Sequence, residues 1–456
     1  MREGYKKLDQ VKNHRKISKL SGGLVVSVGD SLILMWLGLH PGLGKLKCNI
    51  KVFIIQIIFM LALIYLVIKK MPSHTKMTQM PITISDSFIS NKSKPIILGW
   101  NNHFVNENVM IILTGLYNTD ECPYECEYST NKNLYLNASA IIYHIRDEHK
   151  NLPEFRFSNQ LYVFFLEEPP ILTFEHFKNV SSDFFNITMT YRADSNIYYP
   201  YDALVPCNGE CQVDEYWKEN EVLENVRKKT KLAMQAVTNC NTESKRENIV
   251  AELNKFIKID LYGKCVGNKC DFEQCLKQEL ANHMFYLAFE NSVCKEYITE
   301  KFWNLKHLIV PIVLSRRVFN NTKIPDNVYI AVDDFNNVEE LAKYLLYLQK
   351  NETAYLKYFD WTKTYRKTTY RSNFDKYVIY VRQAYVSAKN NTYAPSYNPL
   401  CNLCEFVHKQ QENNHPKHII SDIWKYWYDP NFCIKNWADK WLRSKNKVAF
   451  KKAMWQ

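Results

Sequence analysis

At 456 residues the chain exceeds the usual size of one domain, and its 46% hydrophobic and 14% aromatic content is that of a folded protein, so two domains are expected. The net charge of +12 is concentrated at the amino end: residues 1–51 hold ten Lys/Arg against three acids, +7, and Lys69 and Lys70 add two. The remaining body keeps about +3, which gives no ground for a nucleic-acid partner, and the composition is neither repetitive nor of low complexity.

The basic tail, 1–51, precedes "VFIIQIIFMLALIYLVI", residues 52–68, which carry no charge. As a helix this run rises roughly 25 Å, near the short limit for a bilayer. Lys51, Lys69 and Lys70 flank it, and the Lys/Arg excess before it predicts a cytoplasmic amino terminus. With no convincing cleavage site after it, it reads as an uncleaved signal anchor. The earlier apolar stretch over 23–44 is interrupted by Asp30 and glycines; a second insertion there is the alternative. Residues 69–94, polar with Pro72 and Pro81, read as a stem.

From 95 to 215, "PIILGW", "MIILTG", "ASAIIYHI", "QLYVFFL" and "NITMTY" are short β-rich runs, which predict an α/β or mixed unit. From 216 to 395 strand and helix alternate. "KLAMQAV", "FYLAF", "LIVPIVL" and "VYIAV" read as strands. "KRENIVAELNKFI" places Ile249, Val250, Leu253, Phe256 and Ile257 on one helical stripe, and "NNVEELAKYLLYL" is a helix capped at Asn337. Such alternation predicts a parallel sheet covered on both faces, with ligands at the carboxyl ends of its strands, after Val237 and Phe289. Residues 396–456 hold a Cys-x-x-Cys pair and a Trp-rich tail that suggest a final helix or two.

Twelve of the thirteen cysteines follow the anchor, an even number that predicts disulfides in an oxidising lumen. Cys401-x-x-Cys404 has half of a zinc or redox motif, but no second ligand pair is evident beyond His408, so structural disulfides are preferred. Seven Asn-x-Ser/Thr sites, at Asn91, Asn137, Asn179, Asn186, Asn320, Asn351 and Asn390, agree with a lumenal body.

Three places can carry chemistry. In "FYLAFENSVCKEYITEKFWN", a Thr299 cap would leave free amides at Glu300 and Lys301, a ready anion site beside a full positive charge. Glu300 cannot bind phosphate but can accept hydrogen bonds from sugar hydroxyls, a pairing that suits a sugar joined to a diphosphate. The bland alternative is a carboxylate on the helix dipole and a solvated lysine. In "VTNCNTESKREN", Arg246 lies at the start of a second helix, where a guanidinium would complement Lys301, or would simply be exposed. In "FFLEEPP", Glu167 and Glu168 follow an apolar strand, and partial desolvation would raise one of the two toward a general base. An acidic turn before Pro169 and Pro170 is the alternative. The chain has no Asp-x-Asp, and Asp333 and Asp334 would face opposite ways in a strand. A leaving diphosphate would have to be met by Arg, Lys and helix amides, with no metal required.

These stretches resemble a family. "FYLAFENSVCKEYITEKFWN" looks like the signature of the α-1,3-fucosyltransferases, glycosyltransferase family 10, and "HIRDE", "FFLEEPP", "ITMTYRADSNIYYPY", "VTNCN" with Arg246, "IDLYGKC", "VPIVL", "AVDDF", "YFDWTK" and "CNLC" agree in order over roughly 95–405. The resemblance implies an α/β fold of GT-B type, two facing Rossmann-like domains, preceded by a single transmembrane helix and stem in a type II protein of the Golgi membrane. It implies an acceptor-side domain at 95–215, a GDP-fucose domain at 216–395, and a 396–456 segment packing back on the first domain. Arg246 and Lys301 would bind the diphosphate, Glu300 the fucose hydroxyls, and Tyr297, Asn239, Tyr286 and Asn291 would line the donor pocket. Glu167 matches the carboxylate of the family's Glu-Ser-Pro and would be the base that activates a GlcNAc hydroxyl of a glycan acceptor, with inversion at fucose C1; the next residue here is Glu168, not Ser. Cys122 and Cys126 would each pair with one of Cys401 and Cys404. "NLKHLIVPIVLSRR" departs from the family pattern, and over 305–317 the donor loop is expected to be reshaped. A membrane-anchored, non-catalytic glycan-binding member of the fold, or a transferase for another GDP-sugar, is the alternative.

Overall fold

The computed structural model describes residues 93–453 apart from 105–106, 121, 147–151, 154, 174–179, 210, 212, 269, 271–274, 368–397 and 414–419. The anchor over 52–68, nearly all of the stem, and Asn91, Asn179 and Asn390 lie outside the described residues. Among the described residues no helix is long and apolar enough to cross a membrane.

Residues from 91 onward form one compact unit built on two parallel sheets. The first holds β1 (Ile96–Gly99), β2 (Glu127–Ser129), β3 (Ala138–His144), β4 (Leu161–Leu166), β5 (Ile187–Thr190) and β6 (Ile197–Tyr198), in the order β2-β1-β3-β4-β5-β6. β4 shows why its sequence is apolar without alternation. Leu161, Val163 and Phe165 pack into one core while Tyr162, Phe164 and Leu166 pack into the other, because both faces of the sheet are covered.

One expected strand is a helix. "MIILTG" lies in α1 (Val109–Leu116), whose amide at Met110 is capped by the Asn108 side chain. Val109, Met110, Ile112, Leu113 and Leu116 are buried, the spacing of a helix lying on the sheet. A short apolar run reads equally as strand or buried helix, and here the cap decides it.

The second half follows α2 (Glu219–Arg227) and alternates β7 (Lys231–Ala236), α3 (Arg246–Leu253), β8 (Ile259–Tyr262), α4 (Lys277–Asn282), β9 (His283–Leu287), α5 (Glu300–Trp303), β10 (Val310–Val313), β11 (Ile330–Ala331) and α6 (Val338–Lys350). Its strand order is β8-β7-β9-β10-β11, all parallel. α6 begins as expected, with the Asn337 side chain accepting from the Glu340 amide. α3 stops at Leu253, so Phe256 falls beyond the stripe and is exposed, whereas Ile249, Val250, Leu253 and Ile257 are buried. At the end of β8, Gly263 (φ 106°) lies against Val237, whose carbonyl oxygen would stand 2.1 Å from any Cβ.

The carboxyl-terminal segment divides between the halves. α7 (Pro399–Glu412) starts on an Asn398 cap and a proline, and its i, i+3 spacing sets Cys401 and Cys404 on one face. They form disulfides with Cys122 and Cys126, closing α7 onto the first sheet. Residues 423–427 stay on that domain, where the Trp424 and Trp427 indoles donate to the Val180 carbonyl and the Thr173 hydroxyl, and the tail beyond them leaves it. Cys433 bonds Cys294, and α8 (Trp437–Arg443) packs on the second half, where the Asn436 and Ala438 amides donate to the Glu243 and Ser244 carbonyls and Asn248 donates to Asp439. The expectation that all of 396–456 lies on the first domain is therefore corrected: stacked Trp437 and Trp441 are buried against α3's side of the molecule. The remaining pairs are Cys207–Cys211, Cys240–Cys265 and Cys270–Cys275.

Asn186 is also corrected as a glycosylation site. It is buried, and its Oδ1 accepts from the Tyr162 amide and from Arg156. Asn137 and Asn320 are exposed, and Asn351 is half-buried as a helix cap.

Candidate active site

The carboxyl ends of β7 and β9 carry the loops that hold the predicted donor residues. α3 does not begin on a side-chain cap. Lys245 takes a left-handed backbone (φ 58°), and Ser244 donates its hydroxyl to the Glu290 carbonyl (2.7 Å) and its amide to the Asn291 carbonyl (2.8 Å), while its Oγ accepts from the Arg246 amide (3.4 Å). Arg246, buried, donates through Nη1 to the Phe289 carbonyl (2.6 Å) and through Nη2 to the Asn239 carbonyl (3.1 Å). Its guanidinium thus braces the two loops against each other, where an exposed arginine was the alternative. Burial lowers its pKa, opposed chiefly by the nearby Glu290.

Thr299 stands at the N-cap position of α5 but does not cap it. Its amide and hydroxyl both go to Glu290 Oε1, at 2.8 and 2.7 Å. This corrects the capping expectation: the hydroxyl is turned to donate to a buried carboxylate nine residues away, and its oxygen accepts from Lys301 Nζ and not from a helix amide. Lys301 Nζ completes the knot, lying 3.2 Å from Glu290 Oε2, 2.7 Å from Glu300 Oε1 and 2.9 Å from Thr299 Oγ1. Burial works against the ammonium, yet Glu290 and Glu300 hold its pKa above the ordinary lysine value, so it is charged throughout the physiological range. Burial likewise raises Glu290, against Lys301, while Glu300 is lowered because Lys301 outweighs its burial. The Glu300 side chain is 42% exposed, and of the carboxylates in the knot it is the one open to solvent.

Tyr286 is buried on β9 with its hydroxyl on the Ala236 carbonyl (3.2 Å); burial pushes its pKa up to about 12, against the charge of Lys301. Asn239 is exposed on its loop. Asn291 Oδ1 and Ser292 Oγ are buried without a hydrogen-bond partner among the described residues. Arg246 and Lys301 lie close enough for their charges to repel. The structure therefore brings Arg246, Lys301, Glu300, Tyr286, Asn239 and Asn291 to one pair of strand ends.

Tyr297, expected to line the donor pocket, lines a small cavity with Glu290 and Ser292. It is buried against Tyr191 and Tyr201, and its hydroxyl donates to Glu168 Oε2 (3.1 Å), a bond from the second half to the first. Glu168 Oε1 meets Arg146 at 3.2 Å. Glu167, the predicted base, is turned the other way: its Oε2 lies 2.9 Å from Nε2 of the buried His103. An adjoining cavity of about 510 Å³ is lined by Tyr198, Tyr201, Trp303, Asn321 and Lys323; neither carboxylate nor Lys301 lines it.

Sequence reasoning missed the structural roles of Glu290 and Arg146, although they stand in the quoted stretches "FYLAFENSVCKEYITEKFWN" and "HIRDE", and missed His103, which no local pattern marks. Of the groupings that resemble metal sites among the described residues, Cys126 and Cys404 with His408 are closed by a disulfide between the Cys404 and Cys126 sulfurs. In the other grouping, Asp260 and Glu279 pair with Lys231, and His283, the first residue of β9, lies 3.1 Å from Asp260 Oδ2. Asp333 and Asp334 lie in a turn, not a strand: Asp333 accepts from Ser315 and the Arg316 amide, and Asp334 pairs with the Arg316 guanidinium. The 305–317 segment, which includes β10, is tied to the first half by the buried Lys306, which donates to Asp202 (2.8 Å) and to the Ala203 carbonyl.

Residues 226–426 match "Glycosyltransferase family 10 (fucosyltransferase) C-term", and residues 92–202 match "Fucosyltransferase, N-terminal". The Drosophila melanogaster alpha-(1,3)-fucosyltransferase C is 31% identical over 330 residues, 68% of this chain and 70% of that protein. The Caenorhabditis elegans alpha-(1,3)-fucosyltransferase fut-5 is 35% identical over 53% of this chain and 65% of its own length. The human 4-galactosyl-N-acetylglucosaminide 3-alpha-L-fucosyltransferase FUT6 is 32% identical over 61% of this chain and 76% of its own. With both halves matched and these relatives aligned across them, the chain belongs to glycosyltransferase family 10, the fucosyltransferases.

Proposed function

We propose that this fucosyltransferase carries L-fucose from GDP-fucose to the 3-hydroxyl of an N-acetylglucosamine in a glycan, with inversion at C1, on a GT-B arrangement in which the second half holds the donor. The knot of Lys301, Glu290, Glu300 and Thr299 beside Arg246 is the observation that carries the reading. A fixed ammonium and a buried guanidinium at one pair of strand ends suit a diphosphate, and the exposed oxygen of Glu300 suits sugar hydroxyls. Asn291 Oδ1, buried and unpartnered, offers a further acceptor for the donor.

In the transfer, the acceptor oxygen attacks fucose C1 as its proton passes to a carboxylate of the Glu167–Glu168 pair; the family resemblance gives this role to Glu167. The C1–O bond breaks on the opposite face, and its electron pair leaves with GDP. Lys301 and Arg246 neutralise the charge that develops on the diphosphate, so the reaction runs without a metal. The apolar run at 52–68 and the six disulfides support a type II protein anchored in the Golgi membrane with this unit lumenal.

The test is a transfer assay with GDP-fucose on an array of GlcNAc-terminated and lactosamine glycans, run with and without chelator. Chelator-insensitive transfer with an α-1,3 linkage is expected. Saturable GDP-fucose binding with no transfer to any glycan would favour a non-catalytic glycan-binding member.

A further inference from the structure

We infer that His103 is the positioning residue of the base: its imidazole donates to the Glu167 carboxylate and fixes the orientation in which that carboxylate meets the acceptor hydroxyl. This rests on the fucosyl-transfer reading above, with Glu167 in the role that the family resemblance gives it. His103 Nε2 lies 2.9 Å from Glu167 Oε2, and the two side chains are 6% and 4% exposed. A carboxylate can only accept, so with Glu167 ionised the hydrogen of this bond belongs to Nε2. Away from water, a hydrogen bond to an anion is both strong and directional.

The local fold holds the imidazole in place. His103 ends a two-residue strand, Asn102–His103, which pairs antiparallel with Glu107–Asn108 just beyond β1. Asn101 ties this strand to the end of β3: its Nδ2 donates to the His144 carbonyl (2.7 Å), and its Oδ1 accepts from the His144 amide (2.8 Å). On the other side, Asn108 donates to the Gly99 carbonyl (2.8 Å). The His103 ring then lies against the rings of Phe104, His144 and Phe165, with centroids 4.5, 4.6 and 6.2 Å away. Phe104 takes a left-handed backbone (φ 49°), uncommon for a bulky side chain and a form of strain that collects at functional sites. Glu167 is fixed at its other end, where its backbone carbonyl accepts from the Tyr201 hydroxyl (3.3 Å).

The other titratable groups around the pair are His144, buried against the His103 ring, Tyr201, whose hydroxyl feels the Glu167 charge, and Glu168, which Arg146 and Tyr297 engage. A hydrogen held on one oxygen of a carboxylate favours its ionised form and sets the plane in which the carboxylate receives a proton. The step balances: the acceptor O–H proton goes to Glu167, the acceptor oxygen bonds to C1, and the C1–O electron pair departs with GDP. His103 keeps its own proton throughout, so it acts through Glu167 and not on the substrate.

The experiment compares His103→Phe, His103→Gln and Glu167→Gln with wild type in the full chain, reading kcat against pH, KM for GDP-fucose and GDP affinity in the same preparations. His103→Phe keeps an aromatic ring in the packing and removes the donor. It is expected to bind GDP as wild type does, to lose about 10–100-fold in kcat, and to carry the acid limb of the pH profile about one pH unit higher. His103→Gln supplies a donor again and is expected to return the limb to its wild-type position, with kcat within about tenfold of wild type. The proposal is overturned if His103→Phe keeps kcat within about threefold of wild type, or if it loses rate with the acid limb unmoved, as a packing role alone would have it. Where His103→Phe no longer binds GDP, His103→Leu carries the same expectations. Glu167→Gln is expected to lose at least about 10²-fold in kcat together with the acid limb. If it keeps both, the assignment of the base falls and the role of His103 with it; if it loses both while His103→Phe is unaffected, only the role of His103 falls.

Discussion

Thr299 gives both its amide and its hydroxyl to the Glu290 carboxylate, at 2.8 and 2.7 Å, and so anchors the start of α5 to the end of β9. The same hydroxyl lies 2.9 Å from Lys301 Nζ. Hydrogen bonds to charged groups are worth about 1.5–3 kcal/mol. Thr299→Val keeps the shape and the amide bond but removes the hydroxyl from a site that is 1% exposed. Stability in urea should fall by about 1.5–3 kcal/mol with an unchanged m-value. A loss below a few tenths of a kcal/mol would show that water replaces the hydroxyl and that the knot does not depend on it.

Lys301 is expected to act on the departing diphosphate and not only on binding. Glu290 and Glu300 keep it charged, and Thr299 fixes its place, so little reorganisation is needed as charge develops. Lys301→Ala should lower kcat by about 10²–10³-fold, the usual cost of removing one preorganised donor. An effect confined to KM would instead make the lysine a ground-state contact.

The second sheet was legible because its strands and helices alternate at ordinary lengths, and the Asn337 cap of α6 is a local signal. α1 was not, because a short, mostly apolar run fits either a strand or a buried helix, and its mark was one preceding asparagine. At the site, Lys301 and Arg246 could be singled out as candidates because each sits at a strand-to-helix turn. Which of Glu167 and Glu168 faces the donor residues could not be read from a strand end alone. The deciding contacts, with His103 at a separation of 64 residues and Tyr297 at 129, join segments with no pattern in common. Asn186 failed for a similar reason: its sequon is local, but its burial depends on Tyr162 and Arg156.

The two disulfides of α7 should be strongly non-additive. Cys122–Cys401 and Cys126–Cys404 close loops with separations of 279 and 278 residues, and either one alone closes nearly the same loop. With one intact, the other closes only a short ring, worth about 2–3 kcal/mol by chain entropy, whereas losing both also opens the long loop, worth about 5–6 kcal/mol more. Removing one pair (Cys401→Ser with Cys122→Ala) should therefore lower Tm modestly, and removing all four cysteines by more than the sum of the two single-pair losses. Simple additivity in thermal unfolding would mean that the denatured chain is not limited by that loop.

Lys229 gives the clearest pH signature in stability. It follows α2, and its ammonium donates to the Leu280 and Ala281 carbonyls (2.9 and 3.3 Å), while burial pushes its pKa down to about 7. The folded-state pKa is depressed below the ordinary lysine value of 10.5. Between these values the unfolded chain binds the proton and the folded chain releases it, so this residue makes stability rise with pH across that window. Below about pH 7 both states are protonated and the contribution is flat at its least favourable level. Lys229→Met keeps the side-chain length without the charge. The stability of wild type relative to Lys229→Met, measured by urea unfolding at pH 7, 8 and 9, should climb by up to about 1.4 kcal/mol per pH unit. A difference independent of pH would place the ammonium in solvent and leave its two carbonyl contacts with no weight in the fold.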